Sequence, residues 1–363
     1  MAKRVLNFNP GPAILPLEVL KTVQEELLDF KGTGMSILEI SHRSKEFEEV
    51  NQQAMSLTRE LAGLPDSYKV LFLGGGASLQ FAMVPMNFLP AGKTAAYVDT
   101  GEWAGKAIKE AKKLGQVNVV ASSKEAKYDH IPTMTDLKVP GDAAYLHLTS
   151  NNTIYGTEYN DFPNAGHVPM ICDMSSDMFG RTRPFDKFAL IYAGAQKNLG
   201  PAGVTMVIIR DDLVKRCPEN IPTLLSYKTH ADNNSLYNTP PVFGIYIVKL
   251  VLEWMKGQGG LKAIEKVNQQ KKDVIYNVID GAPDYFKGTV KKEARSWMNL
   301  TLRLPNESLE EKFVAEAKKA GFVGLKGHRS VGGIRVSLYN ALPLEGAQKL
   351  GEFMKSFMKA NPK

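Results

Sequence analysis

From about residue 17 to residue 257, short apolar runs alternate with amphipathic stretches. The runs at 70–73, 94–98, 117–120, 143–148, 168–172 and 189–192 have the length and composition of buried strands. Helical patterns, such as 103–114, lie between several of them. That alternation predicts an α/β fold whose mostly parallel sheet is covered by helices on both faces. One connection differs. The turn between 192 and the apolar run 204–209 is rich in glycine and proline and too short for a crossover helix, so this pair is predicted to be antiparallel and brings the sheet to seven strands. A helix over 242–255 ends this unit at Lys256-Gly257-Gln258-Gly259-Gly260. Beyond it, a helix near 261–279 and strands near 297–304 and 333–338 predict a smaller α+β unit. The proline-rich start of the chain is expected to pack across the cleft or onto that unit. The expected division is a large domain over residues 16–257 and a small one over 258–363, joined by residues 1–15.

Composition narrows the function classes. The chain has 363 residues, 44% of them hydrophobic and 23% charged, as in ordinary globular proteins. No apolar run approaches a membrane span, and the first residues lack the apolar core of a signal peptide, so a cytoplasmic protein with no membrane partner is expected. Cys172 and Cys217 supply neither a disulfide framework nor a metal cluster, so no metal is expected. The net charge of +7 comes from lysines interleaved with acids, as in Lys106-Ala107-Ile108-Lys109-Glu110. That pattern argues against nucleic acid and is compatible with small anionic ligands.

The candidate chemistry centres on Lys197. The apolar run 188–193 ends at Gly194, small residues follow, then one lysine, then Gly200-Pro201. Such a lysine is either a surface cap or a nucleophile, because burial lowers the ammonium's pKa and frees a neutral amine to form a Schiff base. In open parallel sheets, ligands bind beyond the carboxyl ends of the strands, and four further features fall there. Gly74-Gly75-Gly76-Ala77-Ser78, between a strand and a helical run, reads as a phosphate cradle or as a tight packing turn. Asp173, 24 residues before Lys197, either faces the same pocket or holds a turn. Trp103 is placed to stack on a flat ring or to dock on the sheet. Thr153 offers a hydroxyl at the same edge. Together they describe a site for a planar aldehyde bearing a phosphate and a ring nitrogen, pyridoxal 5'-phosphate. In it the lysine forms the imine, the aspartate keeps the ring nitrogen protonated, the tryptophan stacks, and the glycine loop with Ser78 takes the phosphate.

The chain resembles the phosphoserine aminotransferase family, pyridoxal-phosphate enzymes of fold type I within the class V aminotransferases. The resemblance is carried by Asn9-Pro10-Gly11-Pro12, Ser41-His42-Arg43, Gly74-Gly75-Gly76, Ala193-Gly194-Ala195-Gln196-Lys197-Asn198, Tyr237-Asn238-Thr239-Pro240-Pro241, Lys326-Gly327-His328-Arg329 and Gly332-Gly333-Ile334-Arg335. It implies that Lys197 carries the cofactor, that Asp173 pairs with the ring nitrogen, and that Gly76, Ala77, Trp103, Thr153 and Gln196 line the pocket. It implies a homodimer in which Asn238 and Thr239 reach the phosphate of the partner subunit's cofactor. On the substrate side it implies that Arg335 binds the α-carboxylate. His42, Arg43, His328 and Arg329 then take the substrate phosphate or the side-chain carboxylate of glutamate. Arginine suits both ends because its fork binds carboxylate or phosphate in two places. From the residues alone, His42 reads first as a cap for the helix beginning near Ser44, and Arg329 as a solvated loop residue. Some members of the family carry arginine after the glycine triplet where this chain has Ala77, which puts more weight on the two His-Arg pairs.

The activity implied is transfer of an amino group between glutamate and 3-phosphohydroxypyruvate, giving 3-phosphoserine and 2-oxoglutarate in serine biosynthesis. The phosphorylated four-carbon oxo acid of pyridoxine biosynthesis, which yields 4-phosphohydroxythreonine, is a further implied acceptor. The alternative is an alanine- or serine-glyoxylate aminotransferase of the same fold, which has less need of a second anionic clamp.

Overall fold

The computed structural model describes residues 4–133, 135 and 137–363. Seven strands form one sheet in the spatial order Tyr68–Leu73, Thr205–Arg210, Leu190–Gly194, Met170–Asp173, Leu146–Thr149, Thr94–Asp99 and Gln116–Ser122. Thr205–Arg210 runs antiparallel to both neighbours, and every other pairing is parallel. This is the α/β architecture that the sequence pattern predicts, including the antiparallel pair. The pleat sends alternate side chains to opposite faces. Phe72, Leu148, Cys172, Ile191 and Ile208 pack on one face with residues of helices Lys45–Ala62 and Val242–Gly257. Leu73, Tyr97, Ile171, Tyr192 and Val207 pack on the other with helices Gly76–Phe88 and Glu102–Ala111.

Two strands depart from expectation. The run 117–120 is expected to be buried, but Gln116–Ser122 pairs on one side only and leaves most of its residues in contact with water. An edge strand is covered from one side, and its polar Asn118 suits that place. The strand expected over 143–148 spans Leu146–Thr149, although pairing starts earlier, since the Ala144 amide already donates to the Thr94 carbonyl at 2.9 Å.

The C-terminal residues build an antiparallel sheet of Lys287–Gly288, Asn299–Arg303 and Ile334–Ser337. Helices Gly260–Gly281, Glu307–Lys319 and Leu344–Ala360 accompany it. Its apolar cluster includes Leu300, Leu302, Phe313, Val336, Leu350 and Met354, and takes in Phe8 and Ile14 from the start of the chain. Leu6–Asn7 pairs in parallel with Phe322–Val323. The N-terminal strap then crosses to the large sheet, where the Ala13 amide donates to the Gln196 carbonyl at 2.8 Å. It therefore both packs on the C-terminal unit and spans the cleft.

The two sheets meet at the turn after Leu146–Thr149. Thr301 Oγ1 donates to the Tyr155 carbonyl at 2.8 Å, and Asn151 Nδ2 donates to Asn299 Oδ1 at 2.8 Å. Gly156 makes this approach possible. Its φ is +83°, and an added Cβ would stand 2.5 Å from Thr301 Oγ1 and 3.0 Å from the Asn299 carbonyl. Gly156→Ala is therefore expected to destabilise the fold by about 1–3 kcal/mol through the left-handed backbone alone, with more from the clash. Urea unfolding checks this; a midpoint equal to that of the parent would contradict it.

Candidate active site

Parallel strands deliver their carboxyl ends to one edge of the sheet, and the residues singled out from sequence converge there. Asp173 closes the strand Met170–Asp173, in register with Thr149 on one neighbour and Tyr192 on the other. Lys197 lies three residues beyond the end of Leu190–Gly194. Its Nζ donates to Thr153 Oγ1 at 2.8 Å and stands 5.8 Å from the centre of the Trp103 ring. Arg335 enters from the C-terminal sheet and donates from Nη1 to the carbonyl of the same Thr153 at 3.2 Å. Lys197 and Arg335 thus meet on one residue, although each is anchored in a different sheet.

The local turns explain this placement. The Ser175 amide donates to Asp173 Oδ1 at 2.9 Å, a short turn in which an aspartate binds its own backbone two residues on. Ser175 Oγ accepts from the Gly194 amide at 3.1 Å, which ties the aspartate strand to the lysine strand. Beneath them Ser150 Oγ bonds the Asp173 carbonyl at 3.1 Å and also the Asp177 carboxylate. Arg183 Nη2 bridges Asp177 Oδ2 at 3.1 Å and Glu158 Oε1 at 2.5 Å. Arg181 Nη2 also meets Glu158 Oε1 at 2.9 Å, so this buried cluster pairs two arginines with two carboxylates and forms a floor under the strand ends.

Burial sets the electrostatics. Removal from water lowers the Lys197 pKa to about 8, with the Asp173 charge opposing and Arg335 reinforcing the shift. The same loss of water pushes the Asp173 carboxyl up, against the Ser175 hydrogen bonds and the Lys197 charge. An acid raised in this way favours a cationic N–H placed against it. Burial and the nearby Arg335 and Arg329 charges lower the pKa of His328.

The residues fit a flat ring carrying an anion. The indole N–H of Trp103 is buried without an acceptor, as is Nε of Arg335. Helix Gly76–Phe88 begins at Gly75, whose φ is +85°. Its first amides, on Gly76, Ala77 and Ser78, have no backbone acceptor among the described residues and form a ready anion site with the helix dipole. Ala77 and Trp103 border the same apolar cluster. At Gly76 an added Cβ would meet nothing within 4 Å, so the space over the helix start is open. Gln196 lies under the N-terminal strap, and Lys197 Cγ is 3.3 Å from where a side chain on Gly11 would begin.

Four predicted residues stand apart within one chain. His42 and Arg43 bond to each other at 3.4 Å and make no hydrogen bond or ion pair with the Lys197 group. The cap of helix Lys45–Ala62 is Ser44, which accepts from the Phe47 amide at 3.3 Å, so His42 does not serve as that cap. Asn238 and Thr239 are exposed and have no hydrogen-bond partner among the described residues. Arg329 is also exposed, next to His328, whose Nδ1 meets Ser330 Oγ at 2.7 Å. Sequence reasoning missed Ser175, Asp177, Arg183 and Tyr339. The spacing of Ser175 after Asp173 is a readable turn signal; nothing local marks Asp177, Arg183 or Tyr339 as contacts beneath the site.

Known proteins match this chain closely. The family model described as "Aminotransferase class-V" matches residues 5–350. The phosphoserine aminotransferase of Geobacillus kaustophilus (strain HTA426) is 57% identical over 98% of each chain. A solved phosphoserine aminotransferase from Bacillus circulans subsp. alkalophilus superposes with a TM-score of 0.97 at 52% identity, covering 98% of this chain and 99% of that one. A pyridoxal-phosphate-bound phosphoserine aminotransferase from Trichomonas vaginalis gives a TM-score of 0.92 at 37% identity, over 97% and 100% of the two chains. Similarity of this extent runs through the lysine strand and the arginine strand alike, and the chain belongs to the class-V aminotransferase family.

Proposed function

We propose that this chain is a pyridoxal-phosphate-dependent phosphoserine aminotransferase, exchanging an amino group between glutamate and 3-phosphohydroxypyruvate. The observation that carries the reading is the meeting of Lys197 and Arg335 on Thr153, because transamination needs an amine and a carboxylate-binding cation on one substrate. The near-full-length likeness to proteins named phosphoserine aminotransferase supports this substrate over a glyoxylate-type reaction. When bound, pyridoxal phosphate supplies an aldehyde that relays the amino group and a protonated ring that draws electrons from the substrate's Cα–H bond.

The chain's own groups supply the rest. With a pKa drawn down to about 8, Lys197 presents a substantial neutral fraction near neutral pH, enough to act as nucleophile and then to move the proton at the substrate Cα. The Thr153 hydroxyl orients that amine. Asp173 holds a positive ring nitrogen, Trp103 covers the ring face, and the amides of Gly76, Ala77 and Ser78 take the phosphate. Arg335 binds the α-carboxylate, and His328 and Arg329 on the neighbouring loop receive the second anionic end. The exposed positions of Asn238, Thr239 and Arg43, and the half-buried His42, bonded among the described residues only to Arg43, support their acting across a homodimer interface. So do the exposed apolar side chains of Leu28, Met35 and Leu38, which precede His42 and Arg43 in the chain. Residues 16–257 and 258–363 with 1–15 form the two domains of this reading, supported by their separate apolar clusters. A cytosolic setting is supported by the unpaired thiols of Cys172 and Cys217.

Three outcomes are expected. Lys197→Ala should lose at least the factor of about 10²–10⁴ that a positioned base gives the proton step. A coupled assay of 2-oxoglutarate release checks this, and turnover within ten-fold of the parent would exclude the assignment. Asp173→Asn should fold, bind cofactor and turn over about 10²-fold more slowly, because a neutral amide cannot balance the ring charge; near-normal turnover removes Asp173 from that role. In cofactor-free protein the neutral amine predominates above its pKa, so reductive labelling of Lys197 by a small aldehyde should rise with pH and level off above about 8. A rise continuing to the pH range of ordinary lysines would show that the amine is not desolvated.

A further inference from the structure

Lys271, on helix Gly260–Gly281, is fully buried and has no carboxylate partner among the described residues. Its Nζ donates to three carbonyls of one turn, Leu338 at 3.1 Å, Tyr339 at 2.8 Å and Leu342 at 3.0 Å. Burial lowers its pKa to about 7, yet only the ammonium has the three N–H groups that three carbonyls require. Burying a cation without a counter-charge is costly, and an apolar side chain of similar length would avoid that cost.

The turn it gathers is the one that joins the two halves of the site. Three residues before it, the strand Ile334–Ser337 carries Arg335. The Asn340 amide donates to Asn198 Oδ1 at 3.0 Å, on the residue after Lys197, and Asn340 Nδ2 donates to the Phe179 carbonyl at 2.9 Å. The Tyr339 hydroxyl donates to the Pro10 carbonyl at 2.8 Å, on the strap that passes over the Lys197 stem, and accepts from Asn299 Nδ2 at 3.2 Å. One helical turn before Lys271, Asn268 Nδ2 bonds Asn340 Oδ1 at 2.8 Å and the Gly180 carbonyl at 2.6 Å.

We propose that Lys271 is a positioning residue for the amino-transfer reaction: by drawing three carbonyls of the 338–342 turn onto one ammonium, it fixes Arg335 relative to Lys197. The proposal rests on the function given above. Lys197 and Arg335 belong to different sheets, and the turn bonds the lysine loop and the strap while continuing the arginine strand. Loosening the turn lets the amine and the carboxylate site drift apart, and a displacement of about 1 Å can cost about 10²-fold in rate.

The test uses Lys271→Met, which keeps length and removes the donors, and Tyr339→Phe, which removes one hydroxyl from a well-packed ring. In holoenzyme, Lys271→Met should lower kcat/KM for glutamate by about 10- to 100-fold, and Tyr339→Phe by a smaller factor in the same direction. In cofactor-free protein, held well below its melting temperature, both should speed deuterium exchange at the Ala13 and Asn340 amides. A merely structural lysine would lower Tm and leave kcat/KM of the folded protein and those exchange rates unchanged, which would overturn the proposal. If Lys271→Met does not fold, Lys271→Gln, whose amide can meet at most two of the three carbonyls, decides, and parental values for both readouts overturn it. A parent protein that does not transaminate glutamate counts against the function, while the exchange rates still report on the turn.

Discussion

The structure depends on keeping one lysine amine partly out of water without neutralising it by a direct ion pair. Lys197 has a hydroxyl as its hydrogen-bond partner, a carboxylate near enough to oppose the shift, and an arginine that reinforces it. Desolvation wins, and the pKa falls to about 8, which suits the nucleophilic role proposed for the amine. A salt bridge with Asp173 would have the opposite effect, holding the lysine charged and inert. Asp173 is instead engaged by the Ser175 amide, with its strand end held by Ser150 and its charge left for another cation.

That arrangement asks for rigidity, which comes from polar groups buried and satisfied in pairs. Glu158 and Asp177 with Arg181 and Arg183 form a charge-balanced floor under the strand ends. Asn151 reaches Ser176 on one side and Asn299 on the other, so the floor of the large sheet is bonded to the C-terminal sheet that carries Arg335. The N-terminal strap closes the arrangement from above. Groups such as these add little net stability when paired, but leaving one unpaired is costly, so they hold a single geometry.

Much of this was legible in the sequence, for a physical reason. In a parallel sheet the residues that matter follow directly after apolar runs, so Asp173, Lys197 and the glycine turn at 74–76 are marked by their neighbours. The short return from Tyr192 to Val204 fixed the direction of a strand through chain length alone. Burial was read less well where it depends on what lies alongside, as for the edge strand Gln116–Ser122. Contacts across long sequence separations left no local mark. Asn151 and Asn299 are 148 residues apart, and nothing around Tyr339 or Lys271 announces a turn that bonds the lysine loop. Likewise His42, Arg43, Asn238 and Thr239 carry motifs that are readable in sequence, but one chain gives them no partners at the site.

The most direct test of the central claim is to locate the reactive amine chemically. Purified protein incubated with pyridoxal phosphate would be reduced with borohydride and mapped by peptide mass spectrometry, before and after glutamate, then after 3-phosphohydroxypyruvate. The expected result is a pyridoxyl adduct on Lys197, its loss once glutamate has been added, and its return with the phosphorylated oxo acid. An adduct on another lysine, or one on Lys197 that glutamate leaves untouched, would contradict it.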